Sequence, residues 1–169
     1  MSSESKRILC ATNLSNDFNH VLHDAIALAK QNGAKVILFH VLDPRSVSVA
    51  KTLGCFFNEN GHDIMKAKTD AAIQQMKNQL QTFYKTELKN HPEYAGRVEY
   101  LIVHPGKVAV QIAEKADRFE CDAIVIGPRG KSLFTKLFRG NTAKQVRKRT
   151  RKPVHVAGTS HLPEEVNEH

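Results

Sequence analysis

The sequence predicts an α/β protein: a three-layer, doubly wound sheet of five parallel strands in the order 3-2-1-4-5, with helices on both faces. Three observations carry the prediction. Short apolar runs of strand length alternate with amphipathic runs of helical period along the chain. Residues 35–42 (KVILFHVL) are almost continuously apolar, the mark of a strand buried on both faces of a parallel sheet. The 169 residues suffice for one core, without internal repeat, and the alternation demands right-handed crossovers.

The elements follow in order. Residues 7–12 (RILCAT) form the first strand. Asn16 or Asp17 then caps a helix whose buried stripe is Phe18, Val21, Leu22, Ala25, Leu28 and Ala29, and Gly33 ends it. After the second strand, residues 43–61, holding Pro44, Gly54 and Gly61, read as a long loop or lid. From Asp63 to about Leu88 the spacing of Met65, Ala72, Met76, Leu80 and Phe83 predicts a helix, which His91-Pro92 stops. Residues 97–103 (RVEYLIV) are the third strand. Pro105-Gly106 turns into a helix with Val108, Ile112, Ala113 and Ala116 inside. Strand 122–127, a glycine-bounded loop, a basic helix from about Asn141 to Thr150 and a last strand 153–157 complete one domain over residues 1–160. Residues 161–169 are a polar tail.

Composition narrows the function classes. No run approaches the roughly 20 apolar residues of a bilayer span, and the polar start MSSESK passes into a strand too brief for a signal peptide. Cys10, Cys55 and Cys121 are odd in number and form no CxxC, so a reducing cytoplasm is expected, without disulfides or structural zinc. The net charge of +8 is local: Arg129 to Lys152 contains ten Lys or Arg and no Asp or Glu. Elsewhere 15 basic residues face 17 acidic ones, so any anionic partner belongs to that segment.

In the predicted strand order the winding reverses between the first and fourth strands, where doubly wound sheets bind ligands. The segments facing that point are CATNLS and IGPRGKS. A Walker loop would need glycine at position 125, which is Val, and the dinucleotide spacing GxGxxG is also unmet. What remains is G-x2-G-x9-G: Gly127 ends a strand, Gly130 turns the chain, and Gly140 leads into a helix. Unpaired amides of the turn and of the helix N-terminus make an anion site. Lys131, Ser132, Asn141 and Thr142 add side-chain donors, and Arg129 adds charge.

That spacing, with RILCATNLS, VILFHVLD, VAVQIAEKADRFECDAIVIGPRG and RKPVHVA around it, resembles the universal stress protein family over nearly the whole chain. The resemblance implies the adenine nucleotide alpha hydrolase-like fold. It further implies binding of ATP, or of AMP or ADP, with Mg²⁺ or Mn²⁺ bridging the phosphates, and a stress-response role. By that resemblance Gly127, Gly130 and Gly140 hold the phosphates, Ala11, Thr12 and Asn13 the adenosine, and Val41 lines the adenine pocket. The last strand, Pro153 to Ala157, pairs across a homodimer. Two positions depart from the family. Asn13 stands where nucleotide binders carry Asp, losing a charge-assisted acceptor. Asn141 stands where Ser or Thr is usual, with Thr142 as a neighbouring donor.

Other residues have plainer readings. His20 and His23, three apart on the first helix, read as surface histidines rather than metal ligands, and His40 as a hydrogen-bonded core residue. His104 is a looser candidate. Cys10 and Cys121 read as small core residues and Cys55 as an exposed thiol. Phe134 and Phe138 pack the loop or a dimer partner. The basic helix reads as a solvated face that attracts nucleotide. Nucleic-acid binding is disfavoured because no aromatic residues interleave with the charges. No nucleophile, base and orienting acid can be read together. The expectation is a regulatory nucleotide-binding homodimer; a slow ATPase or phosphotransferase and a nucleotide-independent interaction dimer stay open.

Overall fold

The computed structural model describes residues 6–14, 18–43, 61–127 and 141–158, and only the backbone of 61–68 and 141. Most of the expected lid, most of the glycine loop and the tail 161–169 lie outside the described residues.

Five strands, β1 (Arg7–Thr12), β2 (Lys35–Leu42), β3 (Val98–Pro105), β4 (Ala123–Ile126) and β5 (Val154–Val156), form one sheet in the order β3-β2-β1-β4-β5. Every pair is parallel, as expected. The helices are α1 (Phe18–Asn32), α2 (Gly61–Asn90), α3 (Val108–Arg118) and α4 (Asn141–Arg149), with a 3-10 turn at Pro92–Tyr94. The third strand runs two residues past its expected end, because Val41 and Leu42 continue in register with His104 and Pro105. Proline is tolerated there because β3 is an edge.

Alternation along the strands divides the core. Ile8, Cys10, Val36, Leu38 and Val125 face α1 and α2, meeting Phe18, Leu22, Ala25, Ala72 and Leu80. Leu9, Ile37, Phe39, Val41, Ile124 and Ile126 face α3 and α4, meeting Ile112, Ala116 and Val146. Each Val, Leu, Ile or Phe among them gains about 1.5–3 kcal/mol on full burial. The segments buried on both faces, VILF at 36–39 of β2 and AIVI of β4, accordingly read as apolar runs. Phe18 and Phe83, one from each helix on the first face, pack with ring centroids 5.2 Å apart.

Two helices end in the same way with different residues. The Ala34 N–H bonds the Ala29 carbonyl at 2.8 Å around Gly33, whose φ is 62°. The Cys121 N–H bonds the Ala116 carbonyl at 2.8 Å around Glu120, whose φ is 52°. Both are left-handed caps with a 6→1 bond, which glycine adopts without strain and glutamate does not.

The edge β3 is bulged. Val98 pairs with Val36 and Tyr100 with Ile37, so Glu99 is the extra residue. Its carboxylate accepts from Arg7 Nε at 3.0 Å and Nη2 at 2.9 Å. The Arg7 backbone N–H donates to Asp122 Oδ2 at 3.1 Å. Arg7 thus ties together β1, β3 and the start of β4 at the amino end of β1.

Candidate functional site

Pairing of β1 with β4 stops at Ala11↔Ile126, and pairing of β1 with β2 stops at Thr12↔His40. From β1 the chain winds outward through α1 to β2 and β3, then returns across the sheet to β4. The carboxyl ends of β1 and β4 therefore border the reversal crevice, where ligands of such sheets sit.

At the β1 side the chain turns sharply. Thr12, 7% exposed, accepts the Leu14 N–H on its Oγ1 at 2.8 Å. Leu14 has φ 55°, a left-handed value uncommon for a residue with a Cβ. Strained backbone of this kind at a crevice points to a shape held by its surroundings. Beside the turn stands His40 on β2, whose Nδ1 lies 2.9 Å from the Thr12 carbonyl oxygen. A carbonyl only accepts, so Nδ1 carries the proton. Burial pushes the His40 imidazole below its ordinary pKa, against the smaller opposing effect of the Thr12 bond. A neutral ring protonated on Nδ1 follows.

The opposite wall is apolar. Val41 and Ile126 lie in the core cluster of the α3 and α4 face, with Ala11 and Ala143 packed at its margin. Val41, Ala11 and Ala143 of the first turn of α4 thus belong to or border one apolar cluster. Gly127 follows Ile126 directly, and a Cβ built there would lie 3.2 Å from Val21 Cγ2 of α1. α4 opens on Asn141, with Thr142 half-buried beside it. Its first N–H groups lack intrahelical partners and form the positive end of the helix. Val146 is its fully buried anchor, while Lys144, Arg147, Lys148 and Arg149 are exposed. The wet, basic helix read from the sequence is what forms. Arg129, Gly130, Lys131 and Gly140, with Ser132, Phe134 and Phe138, lie outside the described residues, as does the Asn141 side chain.

The remaining candidates are accounted for elsewhere. His23 Nδ1 lies 2.7 Å from the Tyr94 hydroxyl, and His91 stacks on the Tyr94 ring at 4.8 Å. These contacts fasten α1 to the turn after α2. His20 is exposed. His104 donates from Nδ1 to the Pro105 carbonyl at 2.8 Å. Cys10 and Cys121 are buried free thiols. Burial raises both thiol pKa values, that of Cys121 to about 11, which leaves them unreactive. Cys55 lies outside the described residues. Among the described residues no three His, Cys, Asp or Glu side chains converge to hold a metal, and no helix is long and apolar enough to cross a membrane.

A model of the universal stress protein family matches residues 4–158. The chain belongs to the universal stress protein family. Across this stress protein, identity to universal stress protein MJ0577 of Methanocaldococcus jannaschii is 26% over 166 residues, covering 92% of the chain and 96% of its relative. The solved structure of MJ0577 superposes with a TM-score of 0.62 at 22% identity, covering 90% of this chain and 94% of that one. A family member from Burkholderia pseudomallei gives 0.59 at 19% identity, covering 92% and 98%. A universal stress protein solved in complex with cAMP gives 0.50 at 18% identity, again covering 92% and 98%. These likenesses establish the shared fold. Within this stress protein, the sequence alone had not disclosed the Leu14 turn or the His40 tether. Asn13 next to Leu14 was the nearest signal, since Asn tolerates left-handed backbone better than Leu.

Proposed function

We propose that this universal stress protein binds an adenine nucleotide in the crevice between β1 and β4 and acts as a regulatory binding protein. The observation that carries the reading is the convergence of a strained polar turn at Thr12-Asn13-Leu14, an apolar wall at Val41 and the amide-rich start of α4. An adenine ring suits the wall, ribose hydroxyls suit Asn13, and phosphates suit the helix N-terminus with Gly127, Gly130, Gly140 and Thr142. The family member solved with cAMP supports an adenine ligand for this fold. ATP is the fullest occupant, with AMP and ADP as alternatives. Mg²⁺ or Mn²⁺ would be held chiefly by phosphate oxygens and water.

Binding rather than turnover is the reading we adopt, with a slow ATPase or phosphotransferase as the alternative. The buried thiols suit a reducing, cytoplasmic setting. Homodimerisation through the edge strand β5 completes the reading. Calorimetric titration with ATP and with AMP tests it, using a Gly140 variant as control. Saturable heat that the variant loses supports the site; no heat at roughly 1 mM nucleotide overturns it. Phosphate release measured over hours separates a slow ATPase from a binding protein.

A further inference from the structure

We propose that His40 is a positioning residue that sets the orientation of the Thr12–Asn13 peptide at the nucleotide crevice. The inference rests on the function proposed above, but its structural half stands apart from it. On β1 the Lys6 carbonyl accepts the Lys35 N–H of the β2 side, and the Arg7 carbonyl accepts the Asp122 N–H of the β4 side. Even-numbered residues of β1 therefore direct their backbone groups toward β2, and odd-numbered ones toward β4. The Thr12 carbonyl points to β2, where His40 Nδ1 meets it at 2.9 Å.

The peptide unit is planar and trans, so the Asn13 N–H points the opposite way, toward β4 and Gly127. Fixing the Thr12 oxygen fixes that N–H. Thr12 is also the last β1 residue in register with β2, so His40 adds a side-chain donor to a carbonyl that the parallel ladder already directs toward β2, and beyond it the strand pairing no longer restrains the chain. Two residues on, Leu14 holds φ 55° with its N–H on Thr12 Oγ1. His40 thus acts where the ladder ends and the strained turn begins. Its side chain lies on the α1 and α2 face, between Leu38 and Leu42, away from the face that holds Val41. It shapes the site through Thr12 and Asn13 without lining the apolar wall.

The test compares His40→Asn, whose amide nitrogen reproduces the Nδ1 donor, with His40→Gln, whose amide reaches the Nε2 position instead. Nitrogen NMR of the unmodified protein should show Nδ1 as the protonated ring nitrogen and Nε2 as the bare one. The Leu14 amide should exchange slowly in the unmodified protein and in His40→Asn, and about tenfold faster in His40→Gln. AMP affinity should fall about tenfold in His40→Gln and stay within about threefold in His40→Asn. A bare Nδ1 in the unmodified protein, or equal Leu14 exchange in both variants, overturns the positioning role whatever the nucleotide result. If the exchange pattern holds but the unmodified protein binds no AMP or ATP, the function proposed above fails and the tether stands as a fold element only.

Discussion

Arg147 on α4 donates from Nη2 to the main-chain oxygen of Val154 on β5 at 3.1 Å. The Pro153 carbonyl accepts from Ile124 and the Ala157 N–H donates to Ile126, so Val154 between them turns its carbonyl away from β4, toward the open edge. The protein's own arginine covers a group that a second copy would pair with. Charged cover is a common way of blunting a sheet edge. If the homodimer forms through β5, Arg147→Ala should tighten self-association about fivefold, the equivalent of one ordinary hydrogen bond. Sedimentation velocity across a dilution series measures this. Weaker association in the variant would place Arg147 in the interface instead.

The two left-handed helix caps allow an internal comparison. Glu120 occupies at the end of α3 the backbone conformation that Gly33 occupies at the end of α1, and it is exposed. Glu120→Gly should stabilise the fold by roughly 0.5–1 kcal/mol, the relief of left-handed strain less the greater chain entropy of glycine. Urea unfolding reads the change. A lower midpoint would mean that the glutamate side chain contributes more than its backbone strain costs.

Gly127 sits close beneath α1. A methyl group there would press on Val21 Cγ2 at 3.2 Å, and Val21 is itself buried. Gly127→Ala should cost about 1 kcal/mol through overpacking. Val21→Ala in the same chain should recover part of that cost, with a coupling of about 0.5–1 kcal/mol. Strict additivity in the double-variant cycle would show that the backbone, and not Val21, absorbs the methyl group.

The half-buried His40 makes stability depend on pH. Its folded pKa lies below the ordinary 6.5 because burial penalises the charged ring. As pH falls through 6.5 the unfolded chain binds a proton before the folded one, so the contribution is complete above that value and is lost toward the lowered folded pKa. Relative to His40→Asn, which removes this titration, the thermal midpoint should decline from about pH 7.5 to about pH 5. The other histidines cancel in that difference. A difference that is flat or grows with acid would contradict a depressed imidazole pKa.

Much of the architecture was legible because local and global preferences agree. The apolar run 35–42, Gly33 after an amphipathic stripe, and His91-Pro92 at the end of α2 each state a boundary through chemistry that any fold must obey. The end of β3 was less legible, since Pro105 is excluded from central strands and only its edge position admits it. The site divides similarly. Ala11 and Val41, assigned by resemblance, border one apolar cluster because β1 and β2 pair with odd residues opposite odd ones, a register that the period of two within each strand does not fix. The assignments to Arg129, Gly130, Lys131 and Gly140 rest on spacing and resemblance alone.

By itself the sequence determined which segments are strands and helices, the order in which they alternate, and the basic character of α4. These depend on side-chain periodicity, capping residues and charge counts, all of which are local. Tertiary structure alone decided that His40 meets the Thr12 carbonyl, that Leu14 is held left-handed, that Glu99 bulges toward Arg7, and that Arg147 covers Val154. The two tethers, the bulge and its clamp join residues brought together by sheet register or by a helix packed beside a strand. Distances across strands are set by the register of the whole sheet, and no run of neighbouring residues encodes them.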